Sequence, residues 1–492
     1  MIKLAFFAFI LFGCGKTETV QIPAGQTRII EVPTAPPSGN PPPLQPTIPN
    51  HVNYDTLTQS ANNDIDTLSE IEQPNIRYVT TFEFYNPGGR EQTQEEKGIN
   101  FGLNTISNES RVFKATPVND TKTIYRIDLD EIGMTRGMWK FIESRLTLQI
   151  KDKTRRGDAL KFKTQAAYPI VFASDFFLTV MQADASTEKG RLYYEVTQQE
   201  ILRPDYERQI FGDSFQDRVN AEDDVFCAAG GASQIAIGKN RAICIGEGVD
   251  GYASTTWDTS LALNGSAFEN PFIPELARAG GRVISNKIFP FIAQEDIFIK
   301  KNGFMGFRLN GNNLALGQPA EVVAPTDVVL DTKQSGPNLR LDPAIRIGAC
   351  ANCHIQPYIA FTDQINPHVQ QNQFNGLEKF TIATYHNQSS FSAQGNLINQ
   401  EYFDTVKKIG INPGDPNFMV ENLVQPIRGE LTAGDIAGFT GLTLPDFLAK
   451  LRGAPQSQVV LGSLFTPGGK VQLQDFQKIF GLLQEEINLF VD

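Results

Sequence analysis

Inside residues 346–357 (RIGACANCHIQP), Cys350, Cys353 and His354 are spaced C-x-x-C-H. No other feature constrains the chain as much, because this is the attachment pattern of c-type haem. Two thiols one helical turn apart can each add to a porphyrin vinyl group. The histidine that follows then brings its imidazole beneath the iron. On this reading Cys350 and Cys353 hold one covalent haem c and His354 ligates its iron. A structural zinc needs four ligands, usually as two such pairs, and the chain contains no second pair. A thioredoxin-like dithiol would follow a strand in a βαβ unit. The residues before Cys350, LRLDPAIRIG, carry only a weak strand cue, so the dithiol stands as the alternative.

An iron-ligating histidine needs its other ring nitrogen held by an acceptor, and the backbone carbonyl of Pro367 is the sequence candidate. The second axial ligand decides the chemistry. Methionine suits electron transfer at higher potential, a second histidine suits it at lower potential, and an open position admits peroxide or small gases. Met419 is the only methionine after the motif. His386 and His368 are the alternatives to it, and Met305, before the motif, is a weaker one.

The chain opens MIKLAFFAFILFGC: one early lysine, a short apolar run, then Gly13-Cys14. That run is too short to span a bilayer, and its layout is that of an export signal. Leu11-Phe12-Gly13-Cys14 resembles a lipoprotein signal, with residues 1–13 removed and Cys14 lipidated. An ordinary signal peptide or a buried N-terminal strand are the alternatives. Residues 33–50 are packed with proline and favour an extended spacer, so residues 14–74 are expected to form a tether. Haem attachment occurs outside the cytoplasm, which agrees with export. The expected location is the periplasmic side of the envelope, anchored by lipid. The outer membrane is preferred, because Gly15 offers no inner-membrane retention cue. The formal net charge of -12 argues against a nucleic-acid partner.

Beyond the tether, residues 76–86 and 123–132 alternate like strands. Residues 135–146 read as a helix capped by Thr135, and 197–212 as a helix interrupted by Pro204. Residues 228–282 are Gly-rich and irregular, and 286–291 and 302–310 are strand-like. From about 340 the pattern is helical. Residues 442–453 begin with Thr443 and Pro445 and end at Gly453, and 471–490 carry a Phe/Ile/Leu stripe. No internal repeat is evident. The expected fold is an α+β region over 75–339, followed by a mainly α-helical, cytochrome c-like haem domain over 340–492.

Cys227 and Cys244 lie 17 positions apart in a chain read as exported, so a disulfide closing the Gly-rich loop is the default. Neither GGASQIAIGKN nor NGNNLALG runs from a strand into a helix as a phosphate loop would. Glu222-Asp223-Asp224 lacks the alternating oxygens of a calcium loop and reads as solvated surface. No Ser/His/Asp arrangement stands out. Trp139 and Trp257 read as core.

The stretch from Phe304 to His354 resembles a group of exported bacterial single-haem c-type cytochrome lipoproteins. The matching residues are Asn302-Gly303, Gly306-Phe307, Pro325-Thr326, Val328-Val329, Asp331 and the haem motif itself. Residues 125–139 and 429–451 look like further blocks of that group. Phe307 stands where the pattern has Tyr, Ala349 replaces a Ser, and Gly348 sits one position closer to the motif. The resemblance implies an exported haem protein and names no substrate. Residues and resemblance together suggest a lipid-anchored periplasmic cytochrome passing single electrons to or from a redox protein. The alternatives are an oxidoreductase whose α+β domain binds substrate, and an envelope scaffold lipoprotein with a structural haem.

Overall fold

The computed structural model describes residues 53–84, 92–181, 192–200, 203–221, 224–231, 240–259, 268–291, 293–311, 357–412 and 429–490, together with Cys350, His354 and Leu423. The signal segment, Cys14, the proline-rich stretch, Cys353, Met419 and the Pro325–Asp331 block lie outside the described residues.

The N-terminal part begins with helix α1 (Tyr54–Ile65), capped by the Asn53 side chain. Tyr54, Leu57, Ala61 and Ile65 are buried in a core, so the expected tether does not extend over this segment. The polar residues between them cover the outer face, which is why the segment reads as hydrophilic. Strands β1 (Ile76–Thr80), β2 (Thr116–Pro117), β3 (Ile124–Asp128) and β4 (Ile170–Phe172) form a sheet in the order β2-β3-β1-β4. Strand β1 is antiparallel to β3 and parallel to β4. Helices α2 (Gln92–Ile106), α3 (Arg136–Glu143), α4 (Arg155–Thr164) and α5 (Ala173–Val180) flank it. Thr135 caps α3 by accepting from the Met138 amide at 3.1 Å, and Trp139 is fully buried.

The middle of the chain forms a five-stranded antiparallel meander: β5 (Val225–Gly231), β6 (Asn240–Glu247), β7 (Tyr252–Asp258), β8 (Ala293–Ile299) and β9 (Met305–Gly311). Three of these strands occupy the zone expected to be irregular. Helices α6 (Leu192–Val196), α7 (Arg203–Phe211) and α8 (Phe215–Ala221) precede the sheet. Pro204 falls in the first turn of α7, where its missing N–H costs nothing. One face of the sheet carries Ala242, Cys244 and Trp257 and packs against Phe215, Val219 and residues 272–291. Cys227 and Cys244 sit opposite each other on β5 and β6 and are joined by a disulfide on that face. Residues 286–291 form no strand; Ile288 makes a single bridge to Phe272.

Helices α9 (Ile365–Gln371), α10 (Gly376–Tyr385) and α11 (Gln388–Lys407) follow. Ile365, Val369, Ile382 and Tyr385 join the core beneath the disulfide face. Phe391 and Ile398 of α11 pack on the other face of the meander, and Tyr402 and Val406 enter the core containing Tyr125, Trp139 and Phe177. The tail contains two strand-to-helix steps. Strand β10 (Glu430–Thr432) leads into α12 (Ala433–Thr440) and α13 (Leu444–Leu451), then α14 (Pro455–Leu461). Strand β11 (Lys470–Gln472) leads into α15 (Leu473–Glu486). Strands β10 and β11 pair antiparallel with Leu431 opposite Val471. Gly429-x-Leu431-x-x-x-Asp435-Ile436 matches Gly469-x-Val471-x-x-x-Asp475-Phe476, a repeat too short and diverged to stand out in sequence. These units close the core around α1 and the four-stranded sheet.

The expected α+β region followed by a mainly α-helical cytochrome c-like domain is therefore corrected. The described chain is mixed α/β throughout, with three sheets. The helices after residue 340 share cores with earlier elements inside one unit, Ile48–Asp492. A helix stripe predicts burial but does not name the surface that covers it.

Candidate functional site

Side chains directly opposite in an antiparallel ladder share a face. Arg241, Ile243 and Ile245 of β6 therefore line up with Asp258, Thr256 and Ser254 of β7 and, across β7, with Ala293, Glu295 and Ile297 of β8. This is the face away from the disulfide. Across it runs the segment 357–364. Asn399 of α11 accepts from the Tyr358 amide at 2.9 Å and donates to the Tyr358 carbonyl at 2.8 Å. Gln388 accepts from the Asp363 amide at 2.6 Å and donates to the Phe361 carbonyl at 3.0 Å. Asp363 accepts from the Ala229 amide at 2.8 Å, and the Gln364 amide donates to the Ala229 carbonyl at 2.7 Å. The segment thus also covers the free edge of β5, as exposed edges require.

Between sheet and segment lies a cavity of about 250 Å³. Ile243, Ile245, Ile297, Ile299, Tyr358 and Phe361 make it mostly apolar, and Arg241 and His354 also line it. The His354 amide donates to the Cys350 carbonyl at 2.8 Å. Both residues are buried.

Among the described residues, neither ring nitrogen of His354 has a hydrogen-bond partner. Leaving buried polar atoms unpaired costs about 1–3 kcal/mol. The nearest acid is Glu295, whose Oε1 lies 3.7 Å from His354 Nε2. Burial lowers the imidazole's affinity for a proton; Glu295 and the backbone of Pro357 pull it back up, and Arg241 adds to the lowering. Pro367, the expected acceptor, lies inside α9. The ring of Phe307 is 6.4 Å from that of His354.

The block quoted for the resemblance explains how Phe307 gets there. Asn302 and Gly303 make the β8–β9 turn, with Gly303 at φ +80°, a conformation that favours glycine. Asn302 accepts from the Phe304 amide at 3.0 Å and donates to the Asn104 carbonyl at 2.9 Å. A Cβ at Gly306 would stand 2.3 Å from the Phe298 ring, so only glycine lets β9 close on β8 there.

Arg241 makes a two-pronged ion pair with Asp258, Nε to Oδ1 at 2.6 Å and Nη2 to Oδ2 at 2.9 Å. The same Nη2 lies 3.7 Å from Glu295 Oε2. Burial opposes the guanidinium charge, but the two carboxylates outweigh it and hold Arg241 protonated. Sequence reading missed this group. Its signal was an arginine in phase with two isoleucines on one strand.

The other expected ligands lie elsewhere. Buried His386 shares a 2.9 Å contact with Asp363 through Nδ1. Burial raises the Asp363 carboxyl, yet His386 and the backbone amides outweigh it and keep it ionised. His386 thus braces the cavity wall rather than lining it. His368 is half-buried, against Phe268 and Phe374. Met305 is buried on β9 and does not line the cavity. Among the described residues, no three His, Cys, Asp or Glu side chains are grouped to hold a metal ion, and no helix is long and apolar enough to cross a membrane.

Comparison with models of known families, with individually described proteins and with solved structures finds no match for this chain.

Proposed function

We propose that the chain is a lipid-anchored envelope protein carrying one covalent haem c, and that it passes single electrons to or from a redox protein. The observation that carries the reading is His354. It is a buried imidazole with both nitrogens unpaired, at an apolar cavity and one turn after Cys350. Such a histidine is costly as a core residue and suited to a metal or cofactor ligand.

The sequence motif has the donor types that a covalent haem needs. Cys350 and Cys353 would supply the thioethers and His354 the axial nitrogen. The isoleucine face of β6 and β8 would keep water from the macrocycle, with Tyr358 and Phe361 opposite. The group would supply a one-electron couple; the protein would hold, orient and shield it. Cys14 would carry the anchoring lipid. Burial of Cys350 disfavours the dithiol alternative, since reactive thiols are partly exposed.

Absorption spectra test the assignment on protein produced with the c-type maturation machinery. They are recorded oxidised, reduced, and reduced under carbon monoxide. A c-type spectrum that ignores carbon monoxide supports an electron carrier. Ready carbon monoxide binding would favour the oxidoreductase, and no haem bands would overturn the proposal.

A further inference from the structure

The site contains three buried charges that the motif does not require: Arg241, Asp258 and Glu295. We infer that Glu295, held by Arg241, sets the redox balance of the group ligated by His354 by stabilising its oxidised, more positive form. The inference rests on the haem reading.

Asp258 takes Arg241 in a two-pronged pair at 2.6 and 2.9 Å. That pair is neutral as a unit. Glu295 approaches the same guanidinium only at 3.7 Å, while its other oxygen faces His354 Nε2 at 3.7 Å. The three groups therefore sum to one negative charge, directed at the imidazole. Their side chains are only 1–12% exposed, so water and salt screen that charge weakly. Oxidation of the group removes one electron to an external acceptor and leaves one more positive charge beside this carboxylate. Reduction takes the electron back from a redox partner. A fixed negative charge favours the first state over the second.

The same arithmetic argues against Arg241 as a recruiter of anions, because its charge is already more than matched. Asp296, next in sequence, points to the opposite face of the sheet with Arg308, so it belongs to a different charge network.

The test is the redox equilibrium of the intact haem-loaded protein and three variants, read spectroscopically against mediators of known potential. Glu295→Gln and Asp258→Asn each remove one negative charge and should raise the midpoint potential. Arg241→Gln removes the positive charge and should lower it. At the potential where wild type is half reduced, the first two should be mostly reduced and the third mostly oxidised. Opposite signs are the signature of charge, since a general loosening of the site would move all three the same way. Variants that match wild type, or that all shift together, overturn the inference while the haem reading stands. A wild type without covalent haem removes both. Glu295→Asp, which keeps the charge, should stay near wild type and shows that the shift is not a folding defect.

Discussion

The amide of His354 donates to the carbonyl of Cys350 across one helical turn, at 2.8 Å. This bond brings the backbones of the two residues together. In the proposed haem site the Cys350 thiol would anchor the ligand's rim and the His354 imidazole would reach its centre.

Removing one thiol should therefore leave a partial attachment. Cys350→Ala should still hold haem through Cys353, in lower yield. One porphyrin vinyl group is then restored, which extends the conjugation. The reduced band of the pyridine adduct should move to longer wavelength relative to wild type. An unchanged band would mean that Cys350 forms no thioether.

The cavity wall can be moved without touching any ligand. A Cβ at Gly395 of α11 would stand 2.3 Å from the ring of Tyr358. The Tyr358 backbone is clamped by Asn399, so the ring must swing toward the cavity. Gly395→Ala should cost about 1–3 kcal/mol in urea unfolding, as overpacking does, and should lower haem occupancy. Gly376→Ala, where nothing lies within 4 Å of the added carbon, is the control and should match wild type in both.

The disulfide between Cys227 and Cys244 closes a loop of sequence separation 17. Loop-closure entropy for that length is worth about 3 kcal/mol. The Cys227→Ala/Cys244→Ala double variant should unfold at lower urea by that margin, reported by Trp257 fluorescence beside the bridge. Reductant should lower the wild-type midpoint and leave the variant unmoved.

Much of this was legible in the sequence, and the losses have physical reasons. The caps at Thr135 and Thr443 are local hydrogen bonds between residues three apart, so spacing alone exposes them. The strands β5, β6 and β7 were hidden because their two faces are both buried. In Ala242-Ile243-Cys244-Ile245 the alternation is large against small rather than apolar against polar. Of the candidate site, Cys350 and His354 stand together in the motif, but Glu295 and Arg241 come from strands 59 and 113 residues before His354. Only the meander brings them to the imidazole.

Lys300 gives a pH dependence of one sign. Burial lowers its pKa to about 7, and Nζ donates to the Thr105 carbonyl at 2.8 Å. The folded value lies below the unfolded value of 10.5, so the unfolded chain binds more protons between them. The group's contribution is then fully present above about 10.5 and lost as pH falls through about 7. Urea unfolding at several pH values from 7 to 10 should show wild type gaining on Lys300→Met as pH rises. A constant difference would contradict the buried amine.

Glu83 gives the opposite sign. Burial raises its carboxyl to about 8, against a model-peptide value of 4.5, although the Ser174 amide donates to it at 3.0 Å. The folded chain then holds the extra proton. The group's contribution is full below about 4.5 and lost as pH rises through about 8. Glu83→Gln mimics the protonated acid and should gain on wild type between pH 5 and pH 8. Equal pH profiles would mean that Glu83 is ionised in the folded state.

The most direct test of the account is whether haem stays with the polypeptide after denaturation. The full chain is produced with the c-type maturation machinery, unfolded in acid and organic solvent, and separated by chromatography with absorbance read at the haem and peptide bands. The account predicts one haem per chain co-eluting with the polypeptide, and its loss in the Cys350→Ala/Cys353→Ala double variant. A colourless polypeptide, or haem extracted equally from wild type and variant, would contradict it.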